Sequence, residues 1–223
     1  MSTRFNLFTI IHKGLRHALQ HLVWTAGRLD VADRGEREKF YAEFNRIALM
    51  LHQHANDEDT YFQPLIESCA PEVAEELETQ HKRSDALLIR LEQTIQTLER
   101  AETFPSGTWL TFVDELNRFV GDYFLHLYHE ECVAMPRLWE AYEDAFLMEA
   151  SVKLRQNIPP HIQSDFQRYM IPAITIQEQT LMLTLVKQSV PAPVFEELCK
   201  LFESLLSPEE WAALRSRVVA MQN

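Results

Sequence analysis

The chain has 223 residues and a formal net charge of −12, with 33 acidic residues against 21 basic ones. This charge repels phosphate backbones, so the composition disfavours a nucleic-acid-binding protein. Apolar residues make up 46% of the chain, but no stretch approaches the roughly 20 apolar residues of a membrane helix. We therefore expect no membrane insertion, and the chain is long enough to bury a substantial core.

The cysteines and the N-terminal sequence bear on the cellular compartment. Cys69, Cys132 and Cys199 show no C-x-x-C spacing, which is typical of a reducing compartment and disfavours both a disulfide framework and a thiolate zinc site. Residues 1–6 lead into an amphipathic pattern without the apolar segment of a secretory signal. Together these features predict a cytoplasmic protein.

Helical periodicity dominates the sequence. Five glycines, few β-branched runs and apolar residues three and four positions apart indicate an all-α fold without a sheet. The predicted helices span residues 3–29, 36–67, 71–101, 108–135, 138–157, 163–188, 193–206 and 207–221. Pro136 follows the fourth of these segments and allows either a kink or a restart into the fifth. Ser207 with Glu210 is typical of a helix start.

The lengths of these segments predict the architecture. Four long helices joined by short connections favour an antiparallel four-helix bundle. The pattern changes after the Ile-Pro-Pro sequence at residues 158–160. We divide the chain into a bundle domain, residues 1–140, and a C-terminal helical extension, residues 141–223, which we expect to pack on the bundle.

Each of the four bundle helices carries a histidine within its apolar stripe. The stripe positions are Phe8, His12, Leu15 and Leu19; Leu51, His54, Glu58, Tyr61 and Leu65; Leu77, His81, Ser84 and Leu88; Phe119, His126, Glu130 and Val133. A single buried histidine is more often structural than a ligand. Two glutamates in the same layer change this interpretation, because an uncompensated buried carboxylate costs several kcal/mol or takes up a proton. A bound cation resolves the conflict.

The polar positions form two copies of one arrangement. Each copy has a histidine, a second histidine 42 or 45 residues later and a glutamate four residues after that: His12, His54 and Glu58, then His81, His126 and Glu130. A histidine and a glutamate four positions apart lie one above the other on a helix and can bind adjacent metal ions. In both copies an acidic residue follows the glutamate, and a proline, Pro64 or Pro136, lies ten positions after the second histidine.

These segments resemble the tandem His-His-Glu cation-binding repeat of hemerythrin-like proteins over roughly residues 5–140. The matching sequences are HKGLR at 12–16, HANDEDTYFQP at 54–64, HKRSD at 81–85 and HLYHEECVAMP at 126–136. The resemblance implies two iron ions in a non-haem di-iron centre with an oxo or hydroxo bridge. It also implies a role for each residue, with His12, His54, His81 and His126 as terminal ligands and Glu58 and Glu130 as bridging carboxylates.

The sequence differs from the oxygen carriers of that family, which have five histidines, two of them one turn apart on the third helix. Leu77 and Asp85 stand one turn either side of His81 here. Asp85, Glu78 or water therefore completes the site, and more carboxylate or solvent character favours a centre that is sensed, oxidised or turned over.

Other polar residues lie near the six candidates. Helical phase turns His52 and His129 away, so we expect surface or supporting roles for them. Asp122, one turn before His126, is the best candidate to accept that histidine's second N–H, with a solvated aspartate as the alternative. Cys132 is either a redox partner or a small buried apolar residue, and Glu178 is a weak candidate for closing the metal pocket.

The resemblance leaves two functional hypotheses. The first is a protein that senses or binds dioxygen or a related small oxidant, with a protein partner or a homodimer left open. The alternative is a di-iron peroxidase or oxidase that detoxifies peroxide or nitric oxide. A ferritin-like centre ranks lower because only Glu78 and His81 have the Glu-x-x-His spacing, and a bundle with satisfied histidines would bind no metal.

Overall fold

The computed structural model describes residues 4–101 and 104–220, and within these ranges the chain is helical without a strand. The helices are α1 (Thr9–Arg28), α2 (Arg34–Tyr61), α3 (Gln63–Cys69), α4 (Pro71–Arg100), α5 (Ser106–His129), α6 (Met135–Ala141), α7 (Asp144–Asn157), α8 (Pro160–Ala173), α9 (Ile176–Ser189), α10 (Ala192–Leu205) and α11 (Pro208–Ala220). A π-helical turn, Glu130–Ala134, joins α5 to α6. The predicted all-α fold is confirmed.

Helices α1, α2, α4 and α5 form the bundle, which is filled by two apolar clusters, one towards each end. We call the apolar cluster that contains Leu15 the first cluster and the one that contains Phe8 the second cluster. Along the chain, α1 and α4 run from the second cluster to the first, and α2 and α5 run in the opposite direction. The pairs of residues that mark these passages are Phe8 and Leu15, Leu51 and Phe62, Leu77 and Leu88, and Leu127 and Ala134. Neighbouring helices in the sequence are therefore antiparallel, and the candidate histidines and glutamates lie in the layer between the clusters.

The first helix begins later than predicted. Residue 3, its predicted start, lies outside the described residues, and α1 begins at Thr9. Asn6 lies just before α1, and its side-chain oxygen accepts hydrogen bonds from the backbone N–H groups of Phe8 and Thr9, both at 2.9 Å. Upstream, the Phe5 N–H and the Arg4 Nε–H both donate to the Asp144 carboxylate of α7.

Both copies of the repeated arrangement end in a short helix that contains a proline in its first turn. The predicted helix 36–67 is wrong in its length, because α2 ends at Tyr61 and α3 begins at Gln63, next to Pro64. Pro136 occupies the same place in α6, directly after the π-helical turn. Proline lacks an N–H and suits a helix start, so each proline restarts the helix rather than continuing it.

Two other predicted helices are divided. Residues 138–157 are interrupted at Tyr142 and Glu143, between α6 and α7. Residues 163–188 are interrupted after Ala173, where Thr175 and Glu178 form a reciprocal capping box at the start of α9. This Thr-x-x-Glu spacing is visible in the sequence, and it supplies hydrogen bonds to a new helix start that a continuous helix would not need. At α11 the predicted Ser207–Glu210 start is confirmed.

The extension lies on the bundle through α8. Ile162, Phe166 and Tyr169 of α8 belong to the first apolar cluster of the bundle. The backbones of α1 and α8 approach so closely that a Cβ on Gly14 would lie 3.0 Å from the Met170 Cα. A third cluster, which includes Ile171, joins α8 to α9, α10 and α11. Across the described residues, no helix combines the length and the apolar character needed to cross a membrane.

Candidate metal centre

The polar layer between the two bundle clusters brings the six predicted residues together. All of them are buried: His12, His54, Glu58, His81, His126 and Glu130. Their donor atoms form two groups of four, and within each group the atoms lie within 4.8 Å of one another. One group contains His12 and His54 and the other contains His81 and His126. Glu58 and Glu130 belong to both groups, so the two carboxylates stand between two adjacent places for a cation.

Several donor atoms in this layer are buried without a hydrogen-bond partner. They are the Nε2 atoms of His12 and His54, both carboxylate oxygens of Glu58 and Oε2 of Glu130. Native proteins rarely leave such groups unpaired, because each costs about 1–3 kcal/mol or more when charged. Imidazole nitrogens and carboxylate oxygens are the donor types that iron, manganese and zinc accept. The residues present therefore fit a metal ion in each group.

The distances within the layer support this interpretation. The Glu58 carboxylate lies 3.6 Å from His12 Nε2 and 3.3 Å from His54 Nε2. The Glu130 carboxylate lies 3.4 Å from the Nε2 atoms of both His12 and His126. These separations exceed the roughly 2.7–3.2 Å of N–H···O hydrogen bonds. In the first group the side chains thus point at a common space rather than at one another. In the second group His81 Nε2 and His126 Nε2 lie 3.1 Å apart, within hydrogen-bond distance, and a metal ion would have to separate them.

The protonation of the two shared carboxyls is coupled. Burial alone raises the pKa of the Glu58 carboxyl, but the neighbouring imidazoles, first His54, outweigh burial and hold it well below its ordinary value. Burial and then the Glu58 charge raise the pKa of Glu130 well above its ordinary value. The buried layer therefore disfavours two carboxylate charges at once when no cation is bound. A metal ion would stabilise both carboxylates.

The histidines differ in protonation as well. Burial lowers the pKa of His54 to about 4 and that of His126 to about 3. Burial also acts on His81, but the hydrogen bond to Asp59 and the nearby Glu58 raise its pKa to about 10. His54 and His126 are thus neutral at physiological pH, the state in which imidazole binds a metal, and His81 must release a proton to do so.

A comparison with known protein families bears on this arrangement. Residues 4–138 match the Hemerythrin family, described as the hemerythrin HHE cation binding domain. The chain belongs to this family. Searches of curated proteins and of solved structures give no significant match. The predicted family is confirmed, and residues 4–138 are called the HHE domain below.

Each copy in the HHE domain supplies a carboxylate that holds the first histidine of the other copy. Asp59, which follows Glu58, lies 2.8 Å from His81 Nδ1. Glu131, which follows Glu130, lies 2.9 Å from His12 Nδ1. Such contacts fix the orientation of an imidazole and leave Nε2 facing the metal. The sequence shows an acidic residue after each glutamate, but it does not show which histidine that residue contacts.

At the π-helical turn, the side chains of two consecutive glutamates contact the same imidazole ring. Glu130 Oε2 lies 3.4 Å from His12 Nε2, and Glu131 Oε1 lies 2.9 Å from His12 Nδ1. In a regular α-helix consecutive side chains point about 100° apart. Arg16 Nη1 donates to the same Glu131 oxygen at 2.8 Å, and despite burial the His12 and Arg16 contacts lower the pKa of Glu131 to about 2. Glu131 is therefore a charged acceptor for His12.

The predicted partner of His126 is wrong. Asp122 accepts a hydrogen bond from Arg83 Nη2 at 2.7 Å instead. The His126 Nδ1–H donates to Gln80 Oε1 at 3.0 Å, so an amide on α4 does what an aspartate on α5 was expected to do. Gln80 precedes His81 directly, and no sequence signal identified it because the contact crosses between helices.

Other predicted polar residues lie outside the two donor groups. Among the described residues, neither Asp85 nor Glu78 joins them, and both line a polar groove of about 570 Å³ next to His81. His52 instead faces Glu92, at 3.2 Å. Cys132 is exposed, so the prediction of a small buried residue is wrong.

His129 and Glu178 have partners outside the donor groups as well. His129 Nδ1 lies 3.5 Å from Glu76, which agrees with its predicted position away from the centre. Glu178 accepts hydrogen bonds from Lys13 Nζ at 2.6 and 2.7 Å and caps α9. The expectation that it closes the metal pocket is therefore replaced by a structural link between α1 and α9.

Proposed function

We propose that the HHE domain holds two iron ions and uses them to bind or sense dioxygen or a related small oxidant. The observation that carries the proposal is the pair of donor groups that share Glu58 and Glu130. His12 and His54 would hold one ion, and His81 and His126 would hold the other. Membership of a cation-binding family supports metal binding, and we infer iron from the resemblance to di-iron hemerythrins.

When bound, the iron pair supplies a centre that can change valence and interact with a small oxidant. The chain supplies buried aromatic side chains that pack on the histidines. Phe8 stacks on the His12 ring at a centroid distance of 5.4 Å, and Tyr123 packs against His126 at 5.7 Å. These aromatic side chains are buried, so they exclude water from the parts of the layer that they cover and restrict the movement of the imidazoles.

A sensor also needs a path from the centre to another part of the chain. Helix α1 offers one, since Lys13 and Gly14 follow His12 directly and contact α9 and α8, respectively. We propose that a change at His12 moves α1 against the extension. Hydrogen exchange of α9 should then differ between iron(II)-loaded and oxidised chains, and Lys13→Ala should reduce the difference. Identical exchange in both states would contradict the relay.

The binding role is tested by mixing the iron(II)-loaded chain with dioxygen in a stopped-flow spectrometer. A carrier or sensor should give a single absorption change per iron pair, with no continued consumption of dioxygen when a reductant is supplied. Sustained dioxygen consumption or release of oxidised product would contradict it. Iron content measured on the same sample separates a failed loading from a negative result.

The alternative is a di-iron peroxidase or oxidase that detoxifies peroxide or nitric oxide. The polar groove beside His81 favours it, because a solvent-filled approach suits exchange of a small polar substrate at that ion. Repeated turnover of peroxide or nitric oxide by the iron-loaded chain would support the enzyme. His81→Ala should then remove turnover, and turnover that persists in this variant would contradict the alternative.

We also propose a cytoplasmic location and a partner for the extension. The free thiols of Cys69, Cys132 and Cys199 support a reducing compartment. Leu181 and Leu185, one turn apart on α9, are 54% and 55% exposed, which supports contact with another protein or a second copy. Light scattering tests the second copy, and a monomer whose mass does not change with concentration would contradict it.

A further inference from the structure

A cavity of about 260 Å³ lies between the HHE domain and the extension. Its wall is mainly apolar and aromatic, and it includes Leu7, Ile11, Phe62, Leu154, Phe166 and Met170. His54 and Glu58 belong to the same wall. The cavity therefore reaches the candidate metal centre on the side of the first donor group, which contains His12 and His54. Its wall is apolar, whereas the groove beside His81 is polar.

The size of the cavity exceeds what dioxygen requires. A cavity of about 150 Å³ lined by apolar side chains stays dry and binds benzene. Sites for drug-sized molecules span roughly 300–1,000 Å³. At about 260 Å³, this cavity fits an organic molecule somewhat larger than benzene.

The charges at the wall select against an anion. Asp57 is 4% exposed and its Oδ1 accepts a hydrogen bond from Gln53 Nε2 at 2.7 Å. Glu58 lies one residue further along α2 and is buried as well, so a ligand carboxylate inside the cavity would lie beside two buried acidic side chains. Arg155 is the one arginine or lysine among the described lining residues, and it is exposed to solvent, which weakens its attraction for an anion. Placing an unpaired ion among apolar side chains costs several kcal/mol or more. A neutral ligand avoids this cost.

The cavity depends on the extension. Helices α7, α8 and α9 contribute Leu154, Phe166 and Met182 to its wall, and the N-terminal segment and α1 supply the opposite side. The HHE domain alone would leave His54 and Glu58 beneath an open apolar surface. The extension converts that surface into a walled pocket, which gives the extension a role beyond stabilising the bundle.

We propose that this cavity binds a small, neutral and mainly apolar organic molecule and holds it beside the His54 and Glu58 side of the metal centre. The binding step needs only the chain. The position of the ligand beside a metal rests on the proposed di-iron function. The site would let the protein combine an organic ligand with its iron chemistry, or report on that ligand through the centre.

The test uses two fluorinated probes of similar size, one neutral and one negatively charged. Fluorine NMR should show saturable binding of 4-fluorotoluene to the full-length, metal-free chain, and 4-fluorobenzoate should bind at least about tenfold more weakly because its charge must be desolvated. Absence of saturable 4-fluorotoluene binding would overturn the proposal. Tighter binding of 4-fluorobenzoate would overturn the neutral ligand class.

Substitutions locate the probe. Leu154→Trp puts a larger side chain into the wall and should weaken 4-fluorotoluene binding by about tenfold or more. Leu110→Trp is the matched control, because Leu110 lies on α5 and is 66% exposed, and it should leave binding unchanged. Ser151→Phe fills the same cavity from a second position if Leu154→Trp misfolds. Unchanged binding in both cavity variants, each folded by circular dichroism, would place the probe elsewhere and overturn the proposal.

Iron loading separates this proposal from the proposed function. In the iron(II)-loaded chain under nitrogen, the bound fluorine should relax faster than in the metal-free chain, because a paramagnetic ion lies nearby. Binding that is saturable but not relaxed by verified bound iron would overturn the position beside the centre. A chain that binds the probe but retains no iron by elemental analysis would contradict the di-iron function and support the cavity.

Discussion

His54 borders an apolar cavity beneath the extension, whereas His81 borders a polar groove lined by Asp59, Glu78 and Asp85. Burial lowers the pKa of His54 to about 4, but Asp59 and Glu58 outweigh burial at His81 and raise its pKa to about 10. His126 holds the same place in the second copy as His54 in the first, and burial lowers its pKa too, to about 3. The electrostatic difference between the two donor groups therefore lies at His81. Repeated ligand spacing does not make the two halves of a metal centre equivalent.

The two carboxylates that hold histidines across the copies also differ. The Asp59 side chain is 52% exposed. The Glu131 side chain is 20% exposed and also binds Arg16. Because solvent weakens an exposed contact more than a buried one, we expect the first donor group to be held more firmly than the second.

The largest effect should come from the carboxylates that belong to both groups. Glu130→Gln should abolish stable binding of both ions, because each group loses a charged donor. The same substitution should leave the metal-free chain equally or more stable, since it removes a buried carboxyl group without a partner at Oε2.

Elemental analysis and thermal unfolding of the Glu130→Gln variant measure these two effects. Glu140→Gln is the control, because Glu140 is exposed on α6, and it should retain the metal. A Glu130→Gln chain that keeps both ions would contradict the shared role of this residue.

The second-largest effect should distinguish the two carboxylates that hold His12 and His81, Glu131 and Asp59. Glu131→Gln should weaken metal binding by roughly 10–100-fold, because the His12 ring loses a charged acceptor. Asp59→Asn should cost less, because the exposed Asp59 contact already competes with water. Competition with a chromophoric chelator measures both affinities, and an Asp59→Asn loss that exceeds the Glu131→Gln loss would reverse the comparison.

Acid should also weaken the contact between Glu131 and His12, the first histidine of the first copy. The folded-state pKa of Glu131, about 2, lies below its ordinary value of 4.5, so its carboxylate stabilises the folded chain above pH 4.5. This contribution, of the order of 3 kcal/mol, should disappear as the pH falls from 4.5 towards 2.

Urea unfolding of the metal-free chain at several pH values measures the acid effect. The stability difference between the natural chain and Glu131→Gln should shrink across that pH window. A difference that stays constant from pH 6 to pH 3 would show that Glu131 does not carry it.

The smallest effect concerns the contact between the first copy and the extension. Gly14→Ala should destabilise the chain by about 1 kcal/mol, because the added Cβ meets the Met170 backbone at 3.0 Å and α8 must move. Gly27→Ala is the matched control on the same helix. Nothing lies within 4 Å of a Cβ there, so it should stabilise α1 by roughly 0.5–1 kcal/mol. Equal effects in urea unfolding would contradict the close approach of α1 and α8.

The sequence was sufficient for the features that depend on helical phase. His12, His54, His81 and His126 were placed inward because they interrupt apolar stripes, and the structure brings them into one layer. Phase along one helix does not fix which residue of a neighbouring helix lies opposite. Helical phase therefore indicates Asp122, on the same helix, as the partner of His126, and it cannot indicate Gln80 on α4.

Local breaks in the helices were predicted less well. The prolines at 64 and 136 were noted, but the end of α2 at Tyr61 and the π-helical turn at Glu130–Ala134 were not predicted. A proline marks where the next helix starts, but it does not fix where the preceding helix ends or how the turn between them is wound. The cavity was not predicted either, because its walls come from segments distant in the sequence that only the packing of α8 brings together.

The central claim is that two neighbouring iron ions share Glu58 and Glu130. Iron analysis and electron paramagnetic resonance of the same oxidised sample test it most directly. The proposed centre should give two iron ions per chain with almost no signal from isolated high-spin iron(III), because bridged ions couple their spins. One iron ion per chain with a full isolated iron(III) signal would contradict it.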